Sequence, residues 1–487
     1  MGRNYEKDLF RHLQETIEKV DFLTKEIATV RKETSQRIEA LETENHQLKK
    51  ENQTLRTENQ KLKDIIDKNS GNSSKPPSSD AFVKIQNSRE KTGKKPGGQP
   101  GHKGKIHKLL DNPTHTEDIK APKCRCGGRV KYSGEYTAKQ LVEIEFNTAV
   151  VEFREHKGVC ECCHRPVKNS APVNDIITYG NNLKSFTSLL SLEGMVSINR
   201  IKQIISELTD GKLNLSEGTI AKWSKDLSGH VAPAIAVIKK KLLLSPLLHK
   251  DETGIRINKT LNWLHVLGNN QYTLYHAHKK RGNDADKTVG ILPAYSGILA
   301  HDHLVGLYAF LCTHAECNAH ILRYLKAAIE KKKRVWAEDM INLLLEAKKA
   351  AEKSDKPLHH ATVRKFQRRY DEILKQGKQE FLESESPNYN GEDMKLLRRM
   401  KKYKDEHLRF VSDPKVPFDN NQAERDLRMI KAKSKISGCF RAADGGEVFA
   451  TLKSYTSTLR KNGRNIFDGI RAAFAGMPVV CFEAGVE

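Results

Sequence analysis

The sequence predicts a multidomain α+β protein, and three observations carry that reading. Leucine recurs every seven residues at Leu41, Leu48, Leu55 and Leu62. A tract rich in Ser, Pro, Gly and Lys separates that stretch from a cysteine-rich segment. From residue 243 onward, helical spacing gives way to consecutive apolar runs broken by turn residues, the mark of strands. The segments fall at 1–67, 68–110, 111–172, 173–242, 243–329, 330–410, 411–445 and 446–487. A chain of 487 residues has room for several domains of this size. Its 84 Lys and Arg outnumber 61 acids, a net charge of +23. That excess suits a polyanion, of which nucleic acid is the commonest. No run of about 18 apolar residues is present to span a membrane. The opening MGRNYEKDLF has no apolar signal-peptide core, and Glu6 stands where a myristoylation signal needs Ser or Thr.

The first segment is expected to be one long helix. With the four leucines at d, the a positions are Ile38, Asn45, Asn52, Asn59 and Ile66. Leucine at d with buried Asn at a favours a parallel two-stranded coiled coil in one register, so the chain is expected to form a homodimer. Leu13, Ile17, Val20 and Ile27 extend the frame, while Arg31 and Thr34 break it. The linker 68–110 lacks the apolar content to fold alone. Its Lys94, Lys95 and Lys103 fit either a spacer or a basic arm on DNA.

Segment 111–172 carries Cys124, Cys126, Cys160, Cys162 and Cys163. Alternation in QLVEIEFNTAVVEFREH suggests a hairpin that would join the two cysteine groups as a zinc ribbon. The expected Zn²⁺ ligands are Cys124, Cys126, Cys160 and Cys163, with Cys162 or His164 as substitutes. Cys160-x-x-Cys163 has normal knuckle spacing; Cys124-x-Cys126 is one residue short. Segment 173–242 reads as helices, with a break at DGKLNLSEG and a second helix begun by Ser216. That is the outline of a helix-turn-helix DNA-binding domain, shared by many ordinary helical hairpins.

Segment 243–329 predicts three strands in LLLSPLLHKDETGIRI, LNWLHVLG and YTLYHAH, with a turn at Asn269-Asn270. A helix over DADKTVGILPAY follows, then a short strand SGILAHDH ending at Asp302, then a helix carrying Cys317 and His320. Three antiparallel strands, helix, strand, helix is the order of the ribonuclease-H-like fold. It would put Asp251 on the central strand and Asp302 on its neighbour, while strand alternation sends Glu252 to the other face. The third acid is Glu424, on a helix after Pro417 that Asp419 or Asn420 can cap. Arg428 and Lys431 share its face at i+4 and i+7, and Arg425 adjoins it; all three are candidate DNA contacts. Three carboxylates of this kind suit two Mg²⁺ or Mn²⁺ ions, because hard ions take oxygen ligands. Two such ions stabilise the attacking and leaving oxygens of an in-line phosphoryl displacement. The Lys/Arg-rich stretch 330–410 reads as a helical insertion, and 446–487 as a C-terminal helical segment.

Several motifs together resemble the large transposase of the insertion-sequence-sixty-six family of bacterial mobile elements. They are NSSKPPSSD (72–80), GGQPGHKG (97–104), the cysteine knuckles, DET (251–253), Asp302, Cys317-x-x-His320 and DNNQAERDLR (419–428). The resemblance spans essentially the whole chain. It implies a DDE-type recombinase with Asp251, Asp302 and Glu424 as catalytic, metal-holding acids. It further implies cleavage at insertion-sequence ends and strand transfer into target DNA, small accessory proteins of the same element, and a cytoplasmic, nucleoid-associated location. The chain departs from the family in its shortened first knuckle and in HDHLVGLY, where His301 and His303 flank Asp302. Cys317 and His320 are expected to be structural or to orient the second acid, with metal ligation as the alternative. A non-catalytic sequence-specific DNA-binding regulator, or a structure-specific nuclease of the same fold, also fits the residues.

Overall fold

The computed structural model describes residues 2–66, 108–120, 124–173, 175–354, 356–383 and 391–482. Lys94, Lys95 and Lys103 lie outside the described residues. Helix α1 (Gly2–Ile66) runs unbroken for 65 residues. Its heptad leucines are about half exposed, from Leu48 at 49% to Leu62 at 58%.

The cysteine-rich segment holds a small antiparallel hairpin, β1 (Lys157–Val159) with β2 (Pro166–Lys168). The longer hairpin expected over 140–156 is not formed, since those residues carry no ladder. The alternation is real, but Val142, Ile144 and Val151 are exposed, with no covering layer to bury one face. Without a buried face, pairing loses most of its driving force.

Four helices follow: α2 (Asn181–Leu192), α3 (Ile198–Leu208), α4 (Glu217–His230) and α5 (Ala232–Leu243). Ser216 starts α4 as the sequence suggests, its hydroxyl accepting from Thr219 N at 2.9 Å. Ile201, Ile205, Ile220 and Trp223 close the α3–α4 corner. Ile238 and Leu242 of α5 are fully buried in the same core as the central sheet. Each contributes roughly 2 kcal/mol of apolar burial, an upper figure.

The sheet comprises β3 (Leu247–Ile257), β4 (Thr260–Gly268), β5 (Thr273–His278), β6 (Ile298–His301) and β7 (Thr313–Glu316), ordered β5-β4-β3-β6-β7. β3 is central. It pairs antiparallel with β4 and parallel with β6, and β6 pairs parallel with β7. Asn258 and Lys259 both take positive φ in the two-residue β3–β4 turn, the handedness that matches strand twist. Helix α6 (Asn283–Val289) leads toward β6. β7 was not expected: at four residues, THAE is too short to show a period. Cys317 therefore caps helix α7 (Asn318–Lys332) from the strand–helix junction, rather than riding on the helix.

Helices α8 (Val335–Glu352), α9 (His360–Leu382), α10 (Glu392–Lys402) and α11 (Lys404–Ser412) form the stretch read as an insertion. Their own core surrounds Trp336, Met340, Tyr370 and Met400. The chain then returns to the sheet through α12 (Asn421–Ser437), α13 (Gly445–Lys461) and α14 (Ile466–Phe474). α13 lies along edge strand β5. The N–H groups of Thr273, Tyr275 and Ala277 donate to Thr458 Oγ1, Ser454 Oγ and Glu447 Oε2 at 3.2, 2.8 and 3.2 Å. At the opposite edge α11 packs on β7, and Arg409 Nε donates to His314 O at 2.7 Å.

Candidate active site

Strand register brings the two aspartates together. Lys250 is paired with His301, and His301 with Glu316. Continuing each ladder by one residue brings Asp251, Asp302 and Cys317 to neighbouring positions at the C-terminal ends of the parallel strands. Cys317 N donates to His301 O at 2.9 Å, which extends the β6–β7 ladder that far. Adjacent strands lie about 4.8 Å apart, so these positions are within reach of one another.

The opposite face is already neutralised. Glu252 has a fully buried side chain, accepts from Arg281 Nε at 2.7 Å and faces Lys250 Nζ at 3.5 Å. Lys250, 1% exposed, also meets Asp286 Oδ1 at 3.4 Å and His265 Nδ1 at 3.0 Å. Glu252 is thus a structural acid behind the strand, as alternation foretells. Burial pushes its carboxyl up, but Lys250 and Arg281 hold it below the ordinary range.

For Asp251 and Asp302 the compensation falls short: the Glu252 N–H, donated to Asp251 Oδ1 at 2.8 Å, and the charges of Lys250, Arg281 and Arg399 do not offset burial. Burial, then the charges of Asp302 and Glu252, push Asp251 up to about 7. Burial, then Glu252, push Asp302 up to about 6. Asp302 Oδ1 is buried without a hydrogen-bond partner. Two crowded carboxylates and an orphaned oxygen amount to a local deficit of positive charge, which a divalent cation bound by oxygen ligands would fill.

Helix α12 brings Glu424 to this end of the sheet. Asn420, 1% exposed, is the N-cap by position but uses its side chain elsewhere. Its amide donates to Lys250 O at 2.7 Å and its Oδ1 faces His249 Nδ1 at 2.8 Å, tying α12 to the strand that carries Asp251. Asp419 Oδ1 takes the Asn421 N–H instead, at 3.1 Å. Glu424 follows one turn after Asn420, with its side chain one-third exposed and Arg323 Nη2 3.5 Å away. Its carboxylate lies with Cys317 Sγ and a ring nitrogen of His320, all within 4.8 Å of one another. Asp251, Asp302 and Glu424 do not form a cluster that tight. A two-ion centre does not require one, because ions about 4 Å apart with bonds of about 2.1 Å span roughly 8 Å. Burial pushes the Cys317 thiol up to about 12; burial and Arg323 push the His320 imidazole down to about 3, so it is neutral.

Arg425, Arg428 and Lys431 are exposed on α12. The Nδ1 of His303 engages Glu316. Glu316, Arg281 and Arg323 escaped the sequence reading, and Asn420 entered it only as a helix cap. Signals existed for two of them: Asn420 sits inside DNNQAER, and Arg323 extends Cys317-x-x-His320 by three residues, one more helical turn.

The cysteine knuckles are formed separately. Cys160 N donates to Arg165 O and His164 N to Cys160 O, closing the β1–β2 turn. Gly127 N donates to Cys124 O at 2.8 Å. Backbone amides of Cys163 and Cys162 lower the Cys160 thiol, and the Gly128 amide, then Cys124, lower that of Cys126. Both turns therefore favour thiolate. Cys124, Cys126, Cys160 and Cys163 are not drawn into one cluster.

A transposase family model matches residues 178–448, more than half of the chain, and so takes in the mixed sheet, the two desolvated aspartates and the helix-borne glutamate. The chain belongs to the transposase IS66 family. Residues 26–108 match a second family, one of unknown function. The uncharacterized protein y4jO of Sinorhizobium fredii is 38% identical over 69 residues, which are 14% of this chain and 22% of that protein. The chain thus spans about a fifth of that relative's length. Among the described residues, no helix is long and apolar enough to cross a membrane.

Proposed function

We propose that the chain is a DDE-type DNA transposase that cleaves at insertion-sequence ends and transfers the strands into target DNA. The observation that carries this reading is the juxtaposition of Asp251 and Asp302, desolvated and only partly compensated, with Glu424 on the helix tied to the same strand. Asp251, Asp302 and Glu424 would hold two Mg²⁺ or Mn²⁺ ions. When bound, such ions stabilise charge on the attacking and leaving oxygens of an in-line displacement. The exposed Arg425, Arg428 and Lys431 would steer a phosphate backbone past the acids. The strand order supports a ribonuclease-H-like catalytic domain, and the two thiolate-favouring turns support zinc ligation by Cys124, Cys126, Cys160 and Cys163. The seam of α1 supports a homodimer able to hold two element ends. Helices α3 and α4 are the candidate reader of the terminal inverted repeats, and accessory proteins of the same element fit as further partners.

The test is cleavage and strand transfer on labelled DNA carrying the element ends, with Mn²⁺ or Mg²⁺. Asp251→Ala, Asp302→Ala and Glu424→Ala are each expected to lower cleavage at least a hundredfold while DNA binding persists. Full cleavage by any one of the purified variants removes that residue from the acid set.

A further inference from the structure

Cys317, His320 and Glu424 meet in a way that oxygen-ligand chemistry does not explain. Cys317 follows β7 as the N-cap of α7, His320 sits in the first turn of α7, and Glu424 sits in the first turn of α12. Three separate backbone contacts hold these elements in place: Cys317 N to His301 O at 2.9 Å, Asn318 N to Phe418 O at 3.1 Å and Asn420 N to Cys317 Sγ at 3.2 Å. The three ligand atoms lie within 4.8 Å of one another. Cys317 is 2% exposed, and His320 Nδ1 is buried without a hydrogen-bond partner. An imidazole with an unpartnered nitrogen, grouped with a thiol and a carboxylate, has the donor set of a borderline-soft ion. Mg²⁺ would leave the sulfur and nitrogen unused.

We infer that Cys317, His320 and Glu424 form a binding site for a zinc-class divalent ion, distinct in chemistry from the aspartate site. Sulfur, nitrogen and oxygen fill three tetrahedral positions and leave the fourth open. Binding releases the Cys317 thiol proton to solvent, so that thiolate, neutral imidazole and carboxylate face the ion. An ion here also engages the Glu424 carboxylate, and so fixes where that side chain lies. The site stands whether or not Glu424 also serves the two aspartates.

The test uses the full chain and Co²⁺, whose thiolate-to-metal charge-transfer absorption counts only sulfur-bound ions. Wild type is expected to bind one more thiolate-bound Co²⁺ per chain than Cys317→Ser, and added Zn²⁺ is expected to displace it. Serine can still accept the Asn420 N–H, which favours folding of that variant. Glu424→Gln alters a partly exposed side chain and serves as a second variant; it should weaken this Co²⁺ equivalent tenfold or more. Cys312→Ser, a buried cysteine outside the cluster, should keep the wild-type count. Asp251→Ala should also keep it, whether or not wild type cuts DNA, which separates this inference from the catalytic reading. Equal counts in wild type, Cys317→Ser and Glu424→Gln would overturn the site, as would loss of the equivalent in Asp251→Ala.

Discussion

At the scale of single residues, Asp251 and Asp302 oppose the stability of the chain that carries them. Both titrate higher in the fold than the ordinary 3.8, so between about 4 and about 7 the folded chain binds more protons than the unfolded one. Stability therefore falls as pH rises through that window, and the penalty is fully present above it. Metal-free Asp251→Asn should accordingly melt a few degrees above wild type at pH 8, and no higher than wild type near pH 4. Thermal denaturation in the presence of a chelator reads this directly; a gain that does not change with pH would mean the carboxyl is not raised. Mg²⁺ should raise the wild-type melting temperature more at pH 8 than at pH 5, because ion and proton compete for the same oxygens. Asp251 and Asp302 could be picked out in the sequence because strand ends and strand order imply them. Their incomplete compensation could not, since it depends on where Lys250 and Arg281 put their charge.

At the scale of elements, a single carboxylate joins the helical insertion to the sheet. Glu316 on β7 has a fully buried side chain and takes donors from Tyr308 at 2.5 Å, Arg399 of α10 at 2.7 Å and His407 of α11 at 3.0 Å, as well as from His303. Burial alone would raise its carboxyl, but the bonds from His303 and His407 and the Arg399 charge hold it well below the usual range. Glu316→Gln leaves Arg399 and its neighbours without that charge, and should cost about 3 kcal/mol, read as a lower urea midpoint. An unchanged midpoint would show that the insertion is held without the Glu316 charge. The helices and the three long strands were legible because their apolar periods run over many residues. β7 was not, and neither was Glu316, which reads in the sequence as one more acid beside Cys317. The hairpin over 140–156 failed for the opposite reason: its alternation is clear, but no layer covers it.

At the scale of the molecule, the basic excess and the α1 seam bear on assembly. Leu48→Lys with Leu55→Lys should turn a dimer into a monomer by sedimentation while leaving the fold of the sheet domain intact. A variant that stays dimeric would move the dimer contact elsewhere. The fold also restricts how copies can join. A strand edge is normally an open invitation to another chain, but here both margins of the sheet are taken by the protein's own helices. On the β5 side, three hydroxyl and carboxylate oxygens of α13 answer three successive outward amides, as a neighbouring strand would. The sheet therefore mimics its own missing neighbour. Copies of the chain are thereby insulated from fusing strand to strand, and helical contacts are left as the routes by which they can associate.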